Sequence, residues 1–232
     1  MLKTENITKR FSGITAVDNV SIAVNEGETV GIIGTNGAGK TTLFNIISGF
    51  ETTDSGKVIY KGRNVTNLPP NKLDIARTFQ NLRLFYGMTV RENLLVSAFA
   101  RKTDPKICDD LLRATDLWDK RNRLATALSY GEMRKLEIAR AVSTGVKLIL
   151  LDEPSAAMTE SEAFELSETL KDLKQSYRLT ALLIEHNMQL VRLSCDRVYA
   201  MAEGRVIFSG TPTETLSNPT VIKTMLTTEK VC

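Results

Sequence analysis

The spacing of apolar and polar residues divides this chain into three stretches. Over the first 25 residues the period is near two. One strand begins at Leu2, Ser12-Gly13 forms a turn, and Val17, Val20, Ile22 and Val24 mark a second strand. Glu26-Gly27-Glu28 turns the chain into an unbroken apolar run, Thr29-Val30-Gly31-Ile32-Ile33, and Thr42-Leu43-Phe44-Asn45-Ile46-Ile47 follows with helical spacing. Ser55-Gly56-Lys57-Val58-Ile59-Tyr60-Lys61-Gly62 reads as a short strand between glycines. Pro69-Pro70 opens a short helix reaching Asp74, since proline is tolerated in a first helical turn. Ala76-Arg77-Thr78-Phe79 reads as another strand, with Gln80 at its end.

From about residue 84 the pattern becomes helical. Segments 89–100, 104–116 and 130–144 carry the helix period, and the pairs Thr89/Glu92 and Ser129/Glu132 have capping-box spacing. Residues 84–145 therefore read as a helical subdomain inserted into a core made of 1–83 and 146–232. Beyond it strands and helices alternate again. Strand 147–152, helix 161–177, strand 179–185 and a short helix 188–194 precede a hairpin of 196–201 and 205–208 about Glu203-Gly204, and helical turns run from Pro212. Such alternation predicts an α/β fold with a mainly parallel sheet, an antiparallel β-subdomain at the N-terminus and the helical insertion, all in one domain spanning 1–232.

Composition excludes more than it identifies. At 232 residues, 42% hydrophobic and 25% charged, the chain reads as one soluble globular domain. Its net charge of +3 is too small to argue for nucleic acid or a membrane surface. No apolar run approaches the roughly 18 residues of a membrane span, and Met1-Leu2-Lys3-Thr4-Glu5-Asn6 has no apolar signal core. The expectation is a cytosolic protein. Cys108, Cys195 and Cys232 are scattered without metal-like pairing, and Cys232 does not complete a lipidation box.

One stretch carries chemistry on its own. Gly34-Thr35-Asn36-Gly37-Ala38-Gly39-Lys40-Thr41 fits the phosphate-binding pattern G-x-x-x-x-G-K-[ST], and lies between a predicted strand and a predicted helix that opens with Thr42. Glycines let successive backbone N–H groups turn toward an anion, and the helix start adds partial positive charge. Lys40 would reach the β- and γ-phosphates, and the Thr41 hydroxyl would bind Mg²⁺.

Other polar residues gain meaning beside that loop. Leu148-Ile149-Leu150-Leu151-Asp152-Glu153 is an apolar strand ending in two carboxylates, the end where open α/β sheets place their ligands. Asp152 would help hold Mg²⁺ through water, and Glu153 would polarise the attacking water. His186, the only histidine, follows a second apolar strand in the equivalent position, and Gln80 ends a third. Ser129, Gly131 and Glu132 start the helix of 130–144, a cap that also offers N–H groups and a hydroxyl to an anion.

Together these residues resemble the ATP-binding subunits of ABC (ATP-binding cassette) transporters, over essentially the whole chain. Gly34 to Thr41 matches the family's Walker A loop, Leu148 to Glu153 its Walker B strand, and Leu128-Ser129-Tyr130-Gly131-Glu132 its signature. Gln80 matches the Q-loop, His186 the switch histidine, and Phe11, with Val17 just after it, falls where an aromatic residue stacks on adenine. The resemblance implies a P-loop NTPase fold of the RecA-like type, with ATP and Mg²⁺ as cofactors. Glu153 is then the general base, His186 contacts the γ-phosphate, and Gln80 touches Mg²⁺ and water. Ser129, Gly131 and Glu132 act in trans on the ATP of a second cassette, identical or different. The implied partners are transmembrane permease subunits and a solute-binding protein, with the chain peripheral on the cytoplasmic face of the membrane.

The segment from Ala76 to Phe85, the signature followed by Arg134-Lys135-Leu136-Glu137-Ile138-Ala139-Arg140, Leu182 to His186, and Gly210-Thr211-Pro212 are similar to the branched-chain amino acid import cassettes. Urea or amide importers, lipopolysaccharide exporters, and a regulatory cassette with weak hydrolysis are the alternatives. The chain departs from the family at Tyr130, which replaces the first signature glycine, and at Glu132, which replaces glutamine. It departs again at Met158-Thr159-Glu160, where Leu, Asp or Asn, and Pro are usual. That loop normally couples the two sites of a dimer, so coupling is expected to differ here.

Overall fold

The structure is a computed structural model and describes residues 1–228. The remark on Cys232 lies outside the described residues. In chain order, β1 (Leu2–Phe11), β2 (Ile14–Val20), β3 (Ala23–Val24), β4 (Thr29–Gly34), α1 (Lys40–Ile47), β5 (Ser55–Tyr60) and β6 (Arg63–Asn64) come first. Next are β7 (Ile75–Arg77), α2 (Val90–Arg101), α3 (Lys106–Ala114), α4 (Tyr130–Ser143), β8 (Leu148–Asp152) and α5 (Glu160–Tyr177). Finally come β9 (Thr180–Ile184), α6 (Met188–Ser194), β10 (Arg197–Ala202), β11 (Arg205–Gly210), α7 (Pro212–Ser217) and α8 (Pro219–Thr228). Contacts gather the chain into two units, one of Met1–Leu73 with the residues from Thr180 onward, the other Asp74–Leu179.

The first unit holds two kinds of strand pairing. β1 pairs antiparallel with β2, β3 and β5, so the early period-two pattern becomes a small antiparallel sheet. β4 pairs parallel with both β10 and β9, and β11 folds back antiparallel on β10. Every residue of β4 and β9 is buried, as apolar runs covered on both faces must be. Ile33, Val191, Val198, Ala200 and Val221 form a core against which α6, α7 and α8 pack.

The second unit is built from the parallel pair β7 and β8 and from α2 to α5. Both capping boxes predicted at Thr89/Glu92 and Ser129/Glu132 are present. β7 stops at Arg77, two residues before the expected strand end, although the Thr78 N–H still donates to the Leu150 carbonyl at 2.9 Å. The Phe79 ring, outside the ladder, meets the guanidinium groups of Arg77 and Arg83, 5.1 and 3.5 Å from its centroid. The short helix expected after Pro69 is a single 3₁₀ turn, Pro70–Lys72.

The altered loop before α5 has a local explanation. Thr159 is the N-cap of α5, its hydroxyl accepts from the Glu162 N–H at 3.3 Å, and the Glu162 carboxylate accepts from the Thr159 N–H at 2.9 Å. The T-x-x-E box starts the helix at Glu160, one residue ahead of the expected 161. The Thr159 N–H, and after it the Thr159 hydroxyl donating at 2.9 Å, hold the Glu162 carboxyl below its ordinary pKa. Replacing Thr159 by Ala is expected to destabilise the chain by about 1 kcal/mol, read as a lower urea midpoint at unchanged slope; an unshifted midpoint would show that the cap is idle.

Candidate nucleotide-binding site

The phosphate loop leaves β4 at Gly34 and enters α1 at Lys40, in the strand, turn and helix order the motif requires. Gly39 has φ +93°, and a Cβ there would collide with the Ala16 carbonyl oxygen, so glycine is required by both backbone and space. α1 starts without a side-chain cap and without an acidic residue in its first turn. The positive dipole end of the helix therefore suits an anion. The Lys40 side chain is 5% exposed and folds back over the loop, donating to the carbonyls of Gly34 at 2.8 Å and Thr35 at 2.9 Å. Thr41 is exposed and Thr42 half-buried. A cradle that only glycine can form, an uncapped helix start and a nearby ammonium fit the phosphates of a nucleotide.

His186 stands beside the same loop. It is exposed at the end of β9 and lines a cavity of about 680 Å³ with Gly34, Thr35, Asn36, Met188 and residues of α7 and α8. Buried Glu185 fixes the backbone there by accepting from the N–H groups of His186 at 2.9 Å and Asn187 at 3.0 Å. Phe11 is 43% exposed, with the Lys9 ammonium 5.1 Å from its ring centroid. Val17 is wholly buried and pairs with Lys9 in the ladder of β1 and β2, so its side chain packs in the core.

In the second unit the structure joins residues read from separate segments. The Gln80 amide donates to the Glu153 carboxylate at 2.9 Å. Glu153 has φ +48°, a left-handed conformation that costs about 1–2 kcal/mol in a non-glycine residue. Such strain is typical of side chains aimed for function. Asp152 is buried and accepts from Arg77 at 2.7 Å, an ion pair with both side chains below one-tenth exposed. Sequence reasoning missed Arg77. It stands three residues before Gln80, but its spacing names no partner.

The signature residues form the capped start of α4. The Ser129 hydroxyl accepts from the Glu132 N–H at 3.3 Å, and the Glu132 carboxylate returns to the Ser129 N–H at 3.0 Å and pairs with Lys120. Burial pushes the Glu132 carboxyl up, but the Lys120 ammonium and the Ser129 N–H outweigh it and hold it below its ordinary value. Ser129, Gly131 and Glu132 line a pocket of about 340 Å³ with Met158, Glu162 and Glu165 of α5 and its approach. A Cβ on Gly131 would lie 3.3 Å from a Glu162 carboxylate oxygen, so the departed loop and the signature are in close packing. Neither Lys120 nor Glu162 was singled out by sequence; the T-x-x-E spacing was the available signal for Glu162.

Among the described residues no group of three or more His, Cys, Asp or Glu could hold a metal ion, and no helix is long and apolar enough to cross a membrane.

Known proteins agree with this geometry. A family model described as ABC transporter matches residues 17–156. The chain is 38% identical to the high-affinity branched-chain amino acid transport ATP-binding protein LivG of Salmonella typhimurium, over 97% of both chains. It is 36% identical to a probable protein of the same description from Archaeoglobus fulgidus, over 97% of this chain and 95% of that one. An ATP-binding cassette of an ABC transporter, solved in its ADP conformation, superposes with TM-score 0.89 at 34% identity, covering 97% of this chain and 98% of that one. A bacterial ABC transporter cassette solved as a dimer gives TM-score 0.80 at 25% identity, covering 91% of this chain and 99% of that one. The chain therefore belongs to the ABC transporter family, as one of its nucleotide-binding, ATP-hydrolysing cassettes.

Proposed function

We propose that this cassette powers the import of branched-chain amino acids through separate permease subunits, at the cytoplasmic face of the membrane. The observation that carries the substrate class is the 38% identity, over 97% of both chains, to a branched-chain amino acid transport cassette. In this reading Gly34 to Thr42 bind the phosphates of ATP and Phe11 stacks on the base, with Val17 supporting it from the core. Lys40 gives up its loop carbonyls for the phosphates. Bound Mg²⁺ would neutralise phosphate charge. Thr41 and Gln80 would supply ligands and Asp152 would hold one of its waters, as suits an ion that keeps several waters. Glu153 takes the proton of the attacking water, oriented by Gln80, and His186 holds the γ-phosphate. Ser129, Gly131 and Glu132 complete the site of a second cassette, which makes pairing a condition of turnover. A solute-binding protein delivers the amino acid from the far side.

The test is co-purification of the chain with its permeases from native membranes, followed by reconstitution into vesicles with the cognate binding protein. ATP-driven uptake of labelled leucine, isoleucine or valine is the expected result. Uptake of urea, or extraction of lipopolysaccharide, with none of the three amino acids would overturn the substrate class.

A further inference from the structure

Buried under the signature is an arginine with no place in the reading above. Arg134, on α4, is 0% exposed and donates to the carbonyl oxygens of Phe79 and Gln80, each at 2.8 Å. The same guanidinium donates to Glu137 at 2.8 Å and to the Tyr130 hydroxyl at 3.1 Å. Glu137 accepts in turn from the Arg83 N–H at 3.1 Å. The segment from Phe79 to Arg83 has no regular secondary structure, and buried backbone carbonyls without a partner are costly. Here one planar guanidinium serves these two successive carbonyls together with Glu137 and Tyr130, four acceptors in all and more than the three donors of a lysine ammonium. Tyr130 takes part only because it replaces the usual signature glycine, which has no side chain to offer.

We infer that Arg134 is a positioning residue that ties the signature helix to Gln80 and, through Gln80, to Glu153. The path is continuous in the structure. Tyr130 and Arg134 sit in the first turns of α4, Arg134 holds the Gln80 backbone, and the Gln80 amide holds the Glu153 carboxylate at 2.9 Å. A shift of α4 would move the Gln80 carbonyl with it and turn the Glu153 carboxylate. The signature serves the partner's nucleotide and Glu153 serves the chain's own, so Arg134 gives each cassette an internal link between the two. This rests on the reading of Glu153 as the base.

The experiment measures ATP turnover of the full chain against ATP concentration for the parent, Arg134→Lys, Gln80→Ala and the double variant. Fluorescent ATP-analogue binding and thermal unfolding are followed alongside. Arg134→Lys is expected to lower kcat by about tenfold, with analogue affinity changed less than about threefold. In the Gln80→Ala background the same change is expected to cost less than about threefold, the non-additivity of groups acting through one another. A merely structural arginine would not produce that loss of effect. The inference fails if Arg134→Lys keeps kcat within about threefold of the parent, or if its full cost recurs without the Gln80 side chain. Should Arg134→Lys unfold, Tyr130→Phe removes one acceptor of the fork and is judged by the same cycle. A parent whose turnover survives Glu153→Gln overturns the reading of the base and the inference together; a parent that needs Glu153 but is indifferent to Arg134 overturns the inference alone.

Discussion

Glu153→Gln is expected to lower ATP turnover by roughly a hundredfold to ten-thousandfold, the range of a lost general base, while ATP binding stays within about threefold of the parent. The two side chains share a shape, and a glutamine carbonyl at residue 153 can still accept the hydrogen bond that Gln80 donates at 2.9 Å. The left-handed backbone at Glu153, φ +48°, is set by the turn that follows β8, where the Ala156 N–H donates to the Glu153 carbonyl at 3.1 Å. The substitution leaves that turn alone. What it removes is the negative charge that can take a proton. Single-turnover hydrolysis and fluorescent-nucleotide binding, measured on the same preparation, separate the two effects. Hydrolysis near the parental rate would mean that another group is the base.

Lys40→Ala is expected to weaken ATP binding by at least about a hundredfold. Each charge-assisted bond to a phosphate oxygen contributes about 1.5–3 kcal/mol, and two such bonds exceed the roughly 2.8 kcal/mol of a hundredfold change. The ammonium is held by the carbonyls of Gly34 and Thr35, so binding would exchange two internal bonds for stronger ones. The loop should remain formed without it, because Gly39 lies against Ala16 and the Gly204 N–H donates to Ala38 at 3.2 Å. Equilibrium titration with a fluorescent ATP analogue gives the affinity, and circular dichroism reports the fold. Tight binding by the variant would show that backbone N–H groups and the helix dipole suffice, and that Lys40 acts only in hydrolysis.

The pairing of Arg77 with Asp152 bears on how magnesium would be held in the proposed site. The sequence places Asp152 at a strand end, from which it is expected to reach the ion through water. It is buried and already engaged by a guanidinium at 2.7 Å. A carboxylate with one oxygen on arginine can still accept from a metal-bound water with the other.

What was legible in the sequence was whatever one element encodes in its own period or caps. The phosphate loop, the buried strands β4, β8 and β9, and the capping boxes at Thr89 and Ser129 all follow from residues within a few positions of each other. Phe11 and Val17 show where that reading thins: both lie on predicted strands, yet one is 43% exposed and the other fully enclosed, because register and packing decide which way each side chain faces.

The sequence by itself determined that a strand, a glycine loop and a helix would build a phosphate cradle, since the motif's spacing and its backbone requirements are the same thing. Only the tertiary structure decided who orients the carboxylates. Gln80 meets Glu153 across 73 residues of chain, Arg77 meets Asp152 across 75, and Arg134 meets Gln80 across 54. No period records such separations. They are set by the parallel pairing of β7 with β8 and by the packing of α4 against β7, where a buried polar group must find a partner wherever the fold brings one.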